Sequence, residues 1–427
     1  MRQPRPMPAR TLARIATIVL VLGGVAACSL GTEPGPPEPI TSLPRDLSPL
    51  EKDVVSATGT FGVGLLSRVS RADPDSDIFL SPLSAHVALG MALDGADGST
   101  FDAMRGALAL GDASPAQIDS AYASLIDLLE GLDPSIEFSL ANSLWYDESY
   151  PFLPSYKSRV ARWFRAEVEG TDFSDPATVD AINAWVKDAT NGKIETLVDR
   201  LRRDEIAFLV NAVYFLGDWT ERFDPAETSQ QPFHLEDGTT EPVQLMHGEG
   251  EYRHGRGDDF TAIDLPYGGG AFVMTVVLPD RGVPIDSFAA GLDAEKWKEV
   301  LGAVDGGESE VSVYLPRFRM AWSRGLGDVL SDMGMGIAFD PAAADFGRMA
   351  DLDAIAGNVY LTRVVQKAFV RVDEEGTEAA AATGVGVGVT SLPAAIRVDR
   401  PFVFAIRERL SGAMLFLGKF ERPPTEG

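Results

Sequence analysis

Apolar residues recur at helical spacing in the first part of the chain, and long apolar runs follow in the second part. Residues 53–70 place apolar side chains three and four positions apart, which predicts a helix. Ser81 and Pro82 are a typical cap and first residue for a helix over 81–96. Further helices are predicted near 115–131, 154–166, 177–190 and 323–333. Strands are predicted at 136–146, 206–217, 271–279, 311–318, 359–374, 401–408 and 413–420. Since helices and strands do not alternate steadily, the pattern favours an α+β fold.

Residues 373–396, DEEGTEAAAATGVGVGVTSLPAAI, fit neither pattern. Acidic residues crowd the start of this segment, whereas no charged or aromatic residue occurs from Ala379 to Ile396. The side chains are too small to fill a core, and the segment carries too little charge for an ordinary surface loop. The segment therefore needs a different explanation.

The composition is that of a globular protein with a large excess of acidic residues. The chain has 427 residues, 45% hydrophobic and 23% charged, with a net charge of −26 and an isoelectric point near 4.5. This charge argues against nucleic-acid binding and against polybasic attachment to an anionic membrane. The length suggests roughly two or three domains, but the chain has no internal repeat or linker, so one large domain remains possible.

The first 27 residues are typical of an export signal. Arginines precede an apolar run at 15–27, which is shorter than the roughly 20 residues of a spanning helix but suits a signal peptide. The run ends at Cys28, the single cysteine, in the tetrapeptide VAAC, which resembles a bacterial lipobox. This resemblance implies cleavage before Cys28, a lipid on its sulfur and anchoring on the outer side of a cell-envelope membrane. A simple cleavage site with a stray thiol is the alternative. The proline-rich residues 28–50 predict a semi-rigid tether to a body at 51–427.

No metal, cofactor or catalytic motif is recognisable, so none of the three is expected. The patterns G-x-S-x-G, H-E-x-x-H and G-x-x-x-x-G-K-[ST] do not occur. Residues 73–78 imitate the start of a calcium loop, but Ile78 stands where glycine is needed. His247 and His254 lie among acidic residues that could hold a metal, although a solvated acidic loop is the favoured interpretation. A scattered Ser–His–Asp triad is not excluded by sequence.

Several stretches occur in an order that identifies a family. They are IFLSPLSAHVALGMALDGA, NAVYFLGDWTERFDPAETSQQPFHLEDG, VYLPRF, VVQKAFVRVDEEGTEAAAAT and IRVDRPFVFAIRE. From about Leu50 to Pro423 the chain thereby resembles the serpins, a family of serine protease inhibitors. The resemblance implies an α+β serpin fold with three β-sheets, about eight or nine helices and an exposed reactive-centre loop at about 374–397.

The resemblance also explains the unusual segment. In inhibitory members a target serine protease cuts the loop, which then inserts into a sheet. An inserting strand cannot carry unpaired charges into a core. With alternating side chains, one face would carry Thr377, Ala379, Ala381, Thr383, Val385, Val387 and Val389. The other would carry Ala380, Ala382, Gly384, Gly386 and Gly388. The implied reactive bond is Thr390–Ser391. The implied hinge consists of Glu374, Glu375, Gly376, Thr377, Glu378, Ala379, Ala380, Ala381 and Ala382.

Other matched positions imply control of sheet opening. Ser81, Ser84 and Asn211 correspond to the family's shutter region, and Trp219 to its breach, although each could equally be an ordinary core residue. Gln366 stands where many members have histidine. Gln can form hydrogen bonds but cannot change charge, so histidine-based control is in doubt here.

The loop sequence limits the expected targets. Thr390 with Val389 and Val387 suits an elastase- or subtilisin-like protease with a small aliphatic pocket. Heparin activation is not expected, because Arg105 is the only basic residue in 97–124, where the family's heparin helix would fall. We expect a monomer that acts as a suicide substrate, with membrane contact through its lipid only. The alternatives are a non-inhibitory serpin-fold binding protein and a secreted hydrolase with an unrecognised triad.

Overall fold

The computed structural model describes residues 38–202, 204–355, 357–377 and 394–423. Its α-helices are α1 Pro49–Ala72, α2 Pro82–Gly95, α3 Gly98–Ala107, α4 Pro115–Glu130, α5 Pro154–Trp163, α6 Pro176–Ala189, α7 Ile285–Ala290, α8 Ala294–Val304 and α9 Gly327–Leu330. Several begin with a proline, whose missing N–H costs no hydrogen bond in a first turn. The predicted cap Ser81 accepts a 3.2 Å hydrogen bond from the Ser84 backbone N–H at the start of α2.

The strands pair into a six-stranded and a nine-stranded sheet within the described residues. They are β1 Ile78–Leu80, β2 Ile136–Asp147, β3 Glu167–Thr171, β4 Ala207–Asp218, β5 Ser229–His234, β6 Thr240–Arg256, β7 Phe260–Tyr267, β8 Phe272–Pro279, β9 Glu308–Pro316, β10 Phe318–Gly325, β11 Val365–Val372, β12 Gly376–Thr377, β13 Ala394–Arg397, β14 Phe402–Glu408 and β15 Met414–Phe420. The smaller sheet has the order β10-β11-β12-β4-β2-β3. In the larger sheet, β6 pairs with β7 near one end and with β9 and β5 along the rest. The long β6 thereby joins two sheets that would otherwise be separate.

The core lies between the sheets and around α2. This helix is buried on nearly all sides, as expected of a central helix, and it packs against β4 and β15. A second, smaller core lies on the other face of the six-stranded sheet, beneath α6. Its buried members are Trp145, Ile182, Val186, Val198, Phe208 and Val210. The six-stranded sheet is therefore covered on both faces, by α2 on the inner side and by α6 on the outer side.

The predicted α+β class is confirmed, and three element predictions need correction. The helix predicted at 323–333 is wrong at its start, because Ser323 to Gly325 continue β10, and α9 covers only Gly327–Leu330. The strand predicted at 311–318 is two strands, which separate at Arg317. The strand predicted at 359–374 is shorter, since only Val365–Val372 pairs with β10.

Residues upstream of Leu50 contact the body. The Ile40 N–H donates a 2.8 Å hydrogen bond to the Gly269 carbonyl oxygen. The Arg45 guanidinium donates to both carboxylate oxygens of the buried Glu51, at 2.6 and 2.9 Å. No helix in the described ranges combines the length and apolarity needed to cross a membrane.

Candidate functional site

The hinge residues Gly376 and Thr377 form the short strand β12 between β11 and β4. Thr377 pairs with Val372 on one side and with Gly217 on the other, and it is only 2% exposed. A Cβ atom at Gly376 would lie 2.1 Å from the Gly217 carbonyl oxygen. Only glycine permits so close an approach of two backbones. The start of the loop is thus already seated inside the sheet.

Trp219 fastens the chain immediately before β12. Its backbone N–H donates to the Glu375 carbonyl oxygen and its indole N–H to the Asp373 carbonyl oxygen, both at 2.8 Å. The indole stacks on the Tyr267 ring with centroids 4.3 Å apart, and the Tyr267 hydroxyl lies 2.7 Å from Thr377 Oγ1. Burial raises the pKa of Tyr267 far above its ordinary value, so the phenol stays neutral. The two buried rings form a platform on which the hinge rests.

Glu374 is a buried carboxylate with its own partners. The Arg317 guanidinium and, at 2.7 Å, the Thr228 hydroxyl donate to its Oε1 atom. The Phe223 N–H donates a 2.9 Å hydrogen bond to the Glu374 carbonyl oxygen. Burial disfavours the charged carboxylate, but the hydrogen bonds from Arg317 and Thr228 outweigh it and lower the pKa of Glu374. The ionised side chain therefore ties the hinge to the chain that follows β4 and to Arg317.

Beyond Thr377, the structure describes no strand between β4 and β11, and we call the space between these two strands the seam. No ladder hydrogen bond joins β4 to β11 within the described part of the chain. A cavity of about 20 Å³ lies next to Thr377, Phe215 and Val370. A larger one of about 100 Å³ lies further along, beside Asn211 and Gln366. Cavities thus lie between β4 and β11 from the hinge onward, and the structure describes no strand there.

Gln366 ties β11 to the start of α2. Its Oε1 atom accepts from the Ser81 backbone N–H at 3.2 Å, and its Nε2 donates to the Ser81 carbonyl oxygen at 2.9 Å. The Ser81 hydroxyl donates a 2.6 Å hydrogen bond to the Leu415 carbonyl oxygen of β15. Gln366 therefore links β11 to the start of α2 through two hydrogen bonds of an uncharged side chain, at the buried end of the seam.

Asn211 lies on the opposite side of the seam and is only partly satisfied. Its Nδ2 donates a 2.5 Å hydrogen bond to Asn142 Oδ1, and Asn142 Nδ2 donates at 2.7 Å to the Phe164 carbonyl oxygen. The buried Asn211 Oδ1 atom has no hydrogen-bond partner in the described residues. An orphan acceptor of this kind costs about 1–3 kcal/mol. It lines the same cavity as Ser84 and Gln366.

The outer face of the seam is covered by α6 and the chain that follows it. Asn183 of α6 accepts hydrogen bonds from the Leu197 and Val198 backbone N–H groups, at 2.8 and 3.0 Å. The Lys367 ammonium of β11 donates a 2.5 Å hydrogen bond to the Thr196 carbonyl oxygen. Any strand that fills the seam must therefore pass beneath this cover.

The site residues singled out in the sequence fall into two groups. Trp219 donates hydrogen bonds to the Asp373 and Glu375 carbonyl oxygens at the hinge. Ser84, Asn211 and Gln366 line the larger cavity, and Ser81 is bonded to Gln366. Sequence reasoning missed Asn142, Thr228, Tyr267 and Arg317, of which only Asn142 has a usable signal, because it lies directly opposite Asn211 once β2 and β4 are aligned. Outside the described residues lie Cys28, Glu378, Ala379, Ala380, Ala381, Ala382, Thr390 and Ser391.

The acidic stretch around His247 and His254 does not converge on a point within the described residues. The His247 ring stacks on Tyr314 with centroids 4.5 Å apart, and its Nε2 atom lies 2.9 Å from Ser312 Oγ. The stretch forms part of the strand β6 rather than a loop.

Comparison with known proteins assigns the family. The sequence model of the family described as serpin (serine protease inhibitor) matches residues 56–423. Human serpin B8 is 33% identical over 379 residues, which covers 87% of this chain and all of that protein. An uncharacterized serpin-like protein of Thermococcus kodakarensis is also 33% identical, over 87% of this chain and 86% of its own length.

Solved structures agree with this assignment. The thermophilic serpin tengpin in its native state has a TM-score of 0.78 and 26% identity, covering 90% of this chain and 97% of its own. Human thyroxine-binding globulin has a TM-score of 0.79 and 28% identity, covering 88% and 99%. The chain therefore belongs to the serpin family of serine protease inhibitors.

Proposed function

We propose that this serpin inhibits a serine protease as a suicide substrate. The protease would cleave the Thr390–Ser391 bond, and the freed loop would enter the seam while the protease is still bound as an acyl-enzyme. The observation that carries this proposal is a hinge strand paired on both sides and followed by cavities between β4 and β11. The small side chains at 387 to 390 favour an elastase- or subtilisin-like target.

Extending the pairing of β12 gives a partner for each inserting residue. Because β12 is antiparallel to both neighbours, each step along the loop moves one residue back along β4 and along β11. Ala379 would lie between Phe215 and Val370, and Val385 would lie opposite Leu209. This face of the inserted strand would therefore meet apolar side chains of the core.

The same register places one polar residue against polar partners. Thr383 would lie between Asn211 and Gln366, the two side chains that flank the larger cavity. A threonine hydroxyl can donate and accept, so it could donate to the orphan Asn211 Oδ1. Insertion would then satisfy an acceptor that the intact protein leaves buried and unpaired.

The other face of the inserted strand would lie beneath the α6 cover. Ala380 and Ala382 present small side chains there, which fits a narrow space. Glu378 would lie opposite Arg371, whose side chain is 55% exposed. Glu378, the last acidic residue of the hinge, would therefore stay close to solvent and to a cation.

The available free energy is sufficient for inhibition. Strand β4 has 12 residues, and filling its free edge at a net of about 1 kcal/mol per ladder bond gives roughly 10 kcal/mol. Slowing deacylation a million-fold requires about 8 kcal/mol. A strand of this length spans roughly 40 Å at about 3.3 Å per residue, so insertion would carry the attached protease far from its first position.

The test is to compare intact and loop-cleaved protein. We expect cleavage at Thr390–Ser391 to raise the melting temperature by more than about 10 °C, and mixing with elastase or subtilisin to give a complex that survives SDS. A non-inhibitory binding protein, the alternative function, would be cut in the loop without gaining heat stability. A cleaved form that melts no higher than the intact one would refute the proposal.

We also propose that the protein is exported and anchored by a lipid on Cys28. The basis is the VAAC motif at the end of the apolar run. Mass spectrometry of the mature N-terminus should find diacylglyceryl on Cys28, and Cys28→Ser should release the protein from the membrane fraction. An unmodified mature N-terminus at another residue would contradict this.

A further inference from the structure

Helix α4 carries a carboxylate on the face that it buries. Asp119 is only 2% exposed and lies beside buried apolar residues of the same helix, such as Ile118 and Leu125. No hydrogen bond from the described residues reaches either of its carboxylate oxygens. Because burial without hydrogen bonds strongly disfavours a charged carboxylate, this side chain costs the fold stability whenever it is ionised.

The charged groups that face Asp119 come from three other parts of the chain. Asp94 belongs to α2, Arg159 to α5 and Arg348 to the chain between α9 and β11. Both arginines are bound to Asp94. Arg159 Nε lies 2.7 and 3.0 Å from its two carboxylate oxygens, and Arg348 Nη2 lies 3.4 Å from one of them. We call these four residues the α4 charge cluster. Within this cluster, Asp94 holds the cations that an ionised Asp119 would need.

The surroundings of Asp119 place its titration near neutral pH. Burial raises the pKa of this carboxyl group to about 7, and the charge of Asp94 acts in the same direction. Arg159 and Arg348 oppose this shift, but less strongly than burial promotes it. Both charge states of Asp119 are therefore populated around pH 7.

The titratable side chains next to the α4 charge cluster stay neutral over the same range. Burial raises the pKa of the Tyr122 and Tyr156 phenols far above neutral pH. The Tyr122 hydroxyl lies 2.7 Å from His86 Nδ1, and burial lowers the pKa of that histidine to about 4. Of these groups and Asp119, Asp119 is the one whose charge changes between pH 5 and pH 8.

The α4 charge cluster lies behind the larger cavity of the seam. Phe346 and Met349 flank Arg348 in the chain, and both line that cavity. Ala92 of α2, two residues before Asp94, lines it as well. A change in what Arg348 binds would therefore reach the wall of the cavity directly.

We propose that Asp119 is a proton-controlled switch, which sets how firmly α4 and the wall of the larger cavity are held to α2 and α5. With a proton on Asp119, Asp94 keeps both arginines and the helices pack tightly. Without the proton, the Asp119 carboxylate competes with Asp94 for Arg348, whose 3.4 Å contact is longer than that of Arg159. The intact protein is then less stable, whether or not it inhibits a protease.

The direction of the effect follows from the two states of the carboxyl group. The folded-state pKa of Asp119 lies above the unfolded value of about 3.9, so the folded protein binds the proton more readily. The stability is therefore fully present below about pH 4 and is lost as the pH rises to about 7. Asp119→Asn is neutral at every pH. We expect it to melt about 3–8 °C higher than wild type at pH 8, and the gain to fade toward pH 4.5.

The control is Asp53→Asn, which removes an exposed carboxylate of α1. Any lost acidic charge relieves repulsion in a chain of net charge −26, so only a gain confined to position 119 supports the switch. In an Arg348→Gln background the gain from Asp119→Asn at pH 8 should be larger, because Arg348 no longer offsets the charge. A gain equal to that of the control, or one independent of pH, would overturn the switch. An unchanged gain in the Arg348→Gln background would overturn the role of Arg348.

Hydrogen exchange of the wild-type protein tests the switch without a variant. We expect the protection factors of residues 115–130 and 345–350 to fall between pH 5 and pH 8 by more than those of β14, after correction for the intrinsic pH dependence of exchange. An equal change in all three segments would show that the proton on Asp119 controls neither α4 nor the cavity wall.

Discussion

The two ends of the seam differ in how many contacts hold the chain there. At the hinge, Trp219, Tyr267 and Arg317 all hold the segment that leads into β12. At the larger cavity, Asn211 Oδ1 has no partner in the described residues, and the structure describes no strand between β4 and β11. The hinge end fixes the register in which an inserting strand would start, and the larger cavity leaves space for a later part of that strand.

This difference also accounts for the composition of the unusual segment. Two of the three acidic side chains at 373–375 meet a cation: Glu374 accepts from Arg317, and Asp373 contacts Arg371. Under the proposed insertion, the absence of charge after Glu378 fits a seam that offers mainly apolar side chains. The polarity of the segment follows the polarity of the groove beside it.

The largest effect should come from a charge at the first inserted position. Thr377 is 2% exposed and touches the Tyr267 hydroxyl, so Thr377→Arg would force an unpaired charge into the core at a cost of several kcal/mol. We expect cleavage by elastase to continue while SDS-stable complexes disappear on gels. Thr377→Ser keeps the hydroxyl and should still form them. Complex formation by the arginine variant would show that insertion does not start here.

A smaller effect is expected from neutralising the hinge carboxylate. Glu374→Gln keeps the shape but loses the ionic hydrogen bond from Arg317, which should lower the free energy of unfolding by about 1–2 kcal/mol at pH 7. Because the folded-state pKa of Glu374 is lowered, this stability is present above the unfolded pKa of about 4.3. It is lost as the pH falls through the folded-state pKa.

Urea unfolding of wild type and the Glu374→Gln variant at a series of pH values checks this. The two curves should converge only in acid, and the exposed-site variant Glu148→Gln should follow wild type throughout. A difference that is independent of pH would contradict an ionised Glu374 in the intact protein.

Thr383→Val should act on the cleaved form alone. If the inserted hydroxyl bonds Asn211, its loss should destabilise cleaved protein by about 1–3 kcal/mol and leave the intact form unchanged. Combining it with Asn211→Ala in a double-mutant cycle, with melting of the cleaved form as the measurement, isolates the pair. Additive effects would mean that the extended register is incorrect.

Local signals in the sequence were enough for much of the fold. Ser81 and Pro82 located the start of α2, and long apolar runs located strands such as β2, β4 and β8 within a few residues. Helices α3, α7 and α8 and the strands β5 to β7 were not predicted. The exceptions depended on distant pairing: β10 pairs with β11 from Phe318 opposite Val372 to Gly325 opposite Val365. That pairing turns the start of a predicted helix into strand, which local periodicity cannot reveal.

The residues of the candidate site also divide into those that the sequence indicates and those that only the fold reveals. Ser81, Trp219 and Gln366 were found because they lie in stretches that match the family. Tyr267 and Arg317 were missed because their roles require contacts across 110 and 57 residues, to Thr377 and Glu374 respectively. Nothing near either residue in sequence indicates such a contact.

The smallest effect at neutral pH should come from replacing Gln366, which links β11 to the start of α2. An imidazole at 366 could keep one of the two hydrogen bonds to Ser81, so Gln366→His should lower the free energy of unfolding by about 1 kcal/mol at pH 8. Position 366 is 7% exposed, and burial would hold the folded-state pKa of this histidine below about 6.5. The unfolded chain would then bind the proton more readily, so the loss should grow as the pH falls through 6.5.

The comparison must be made against wild type at each pH, because burial also lowers the pKa of His86, to about 4, and this gives both proteins a common loss of stability in acid. Gln366→Leu removes both hydrogen bonds and cannot titrate, so its loss relative to wild type should not change with pH. If the histidine and leucine variants show the same pH dependence in urea unfolding, the protonation state at 366 does not control this end of the seam. Gln366 would then act only as a structural link, and having glutamine instead of histidine at 366 would not change the pH dependence of stability.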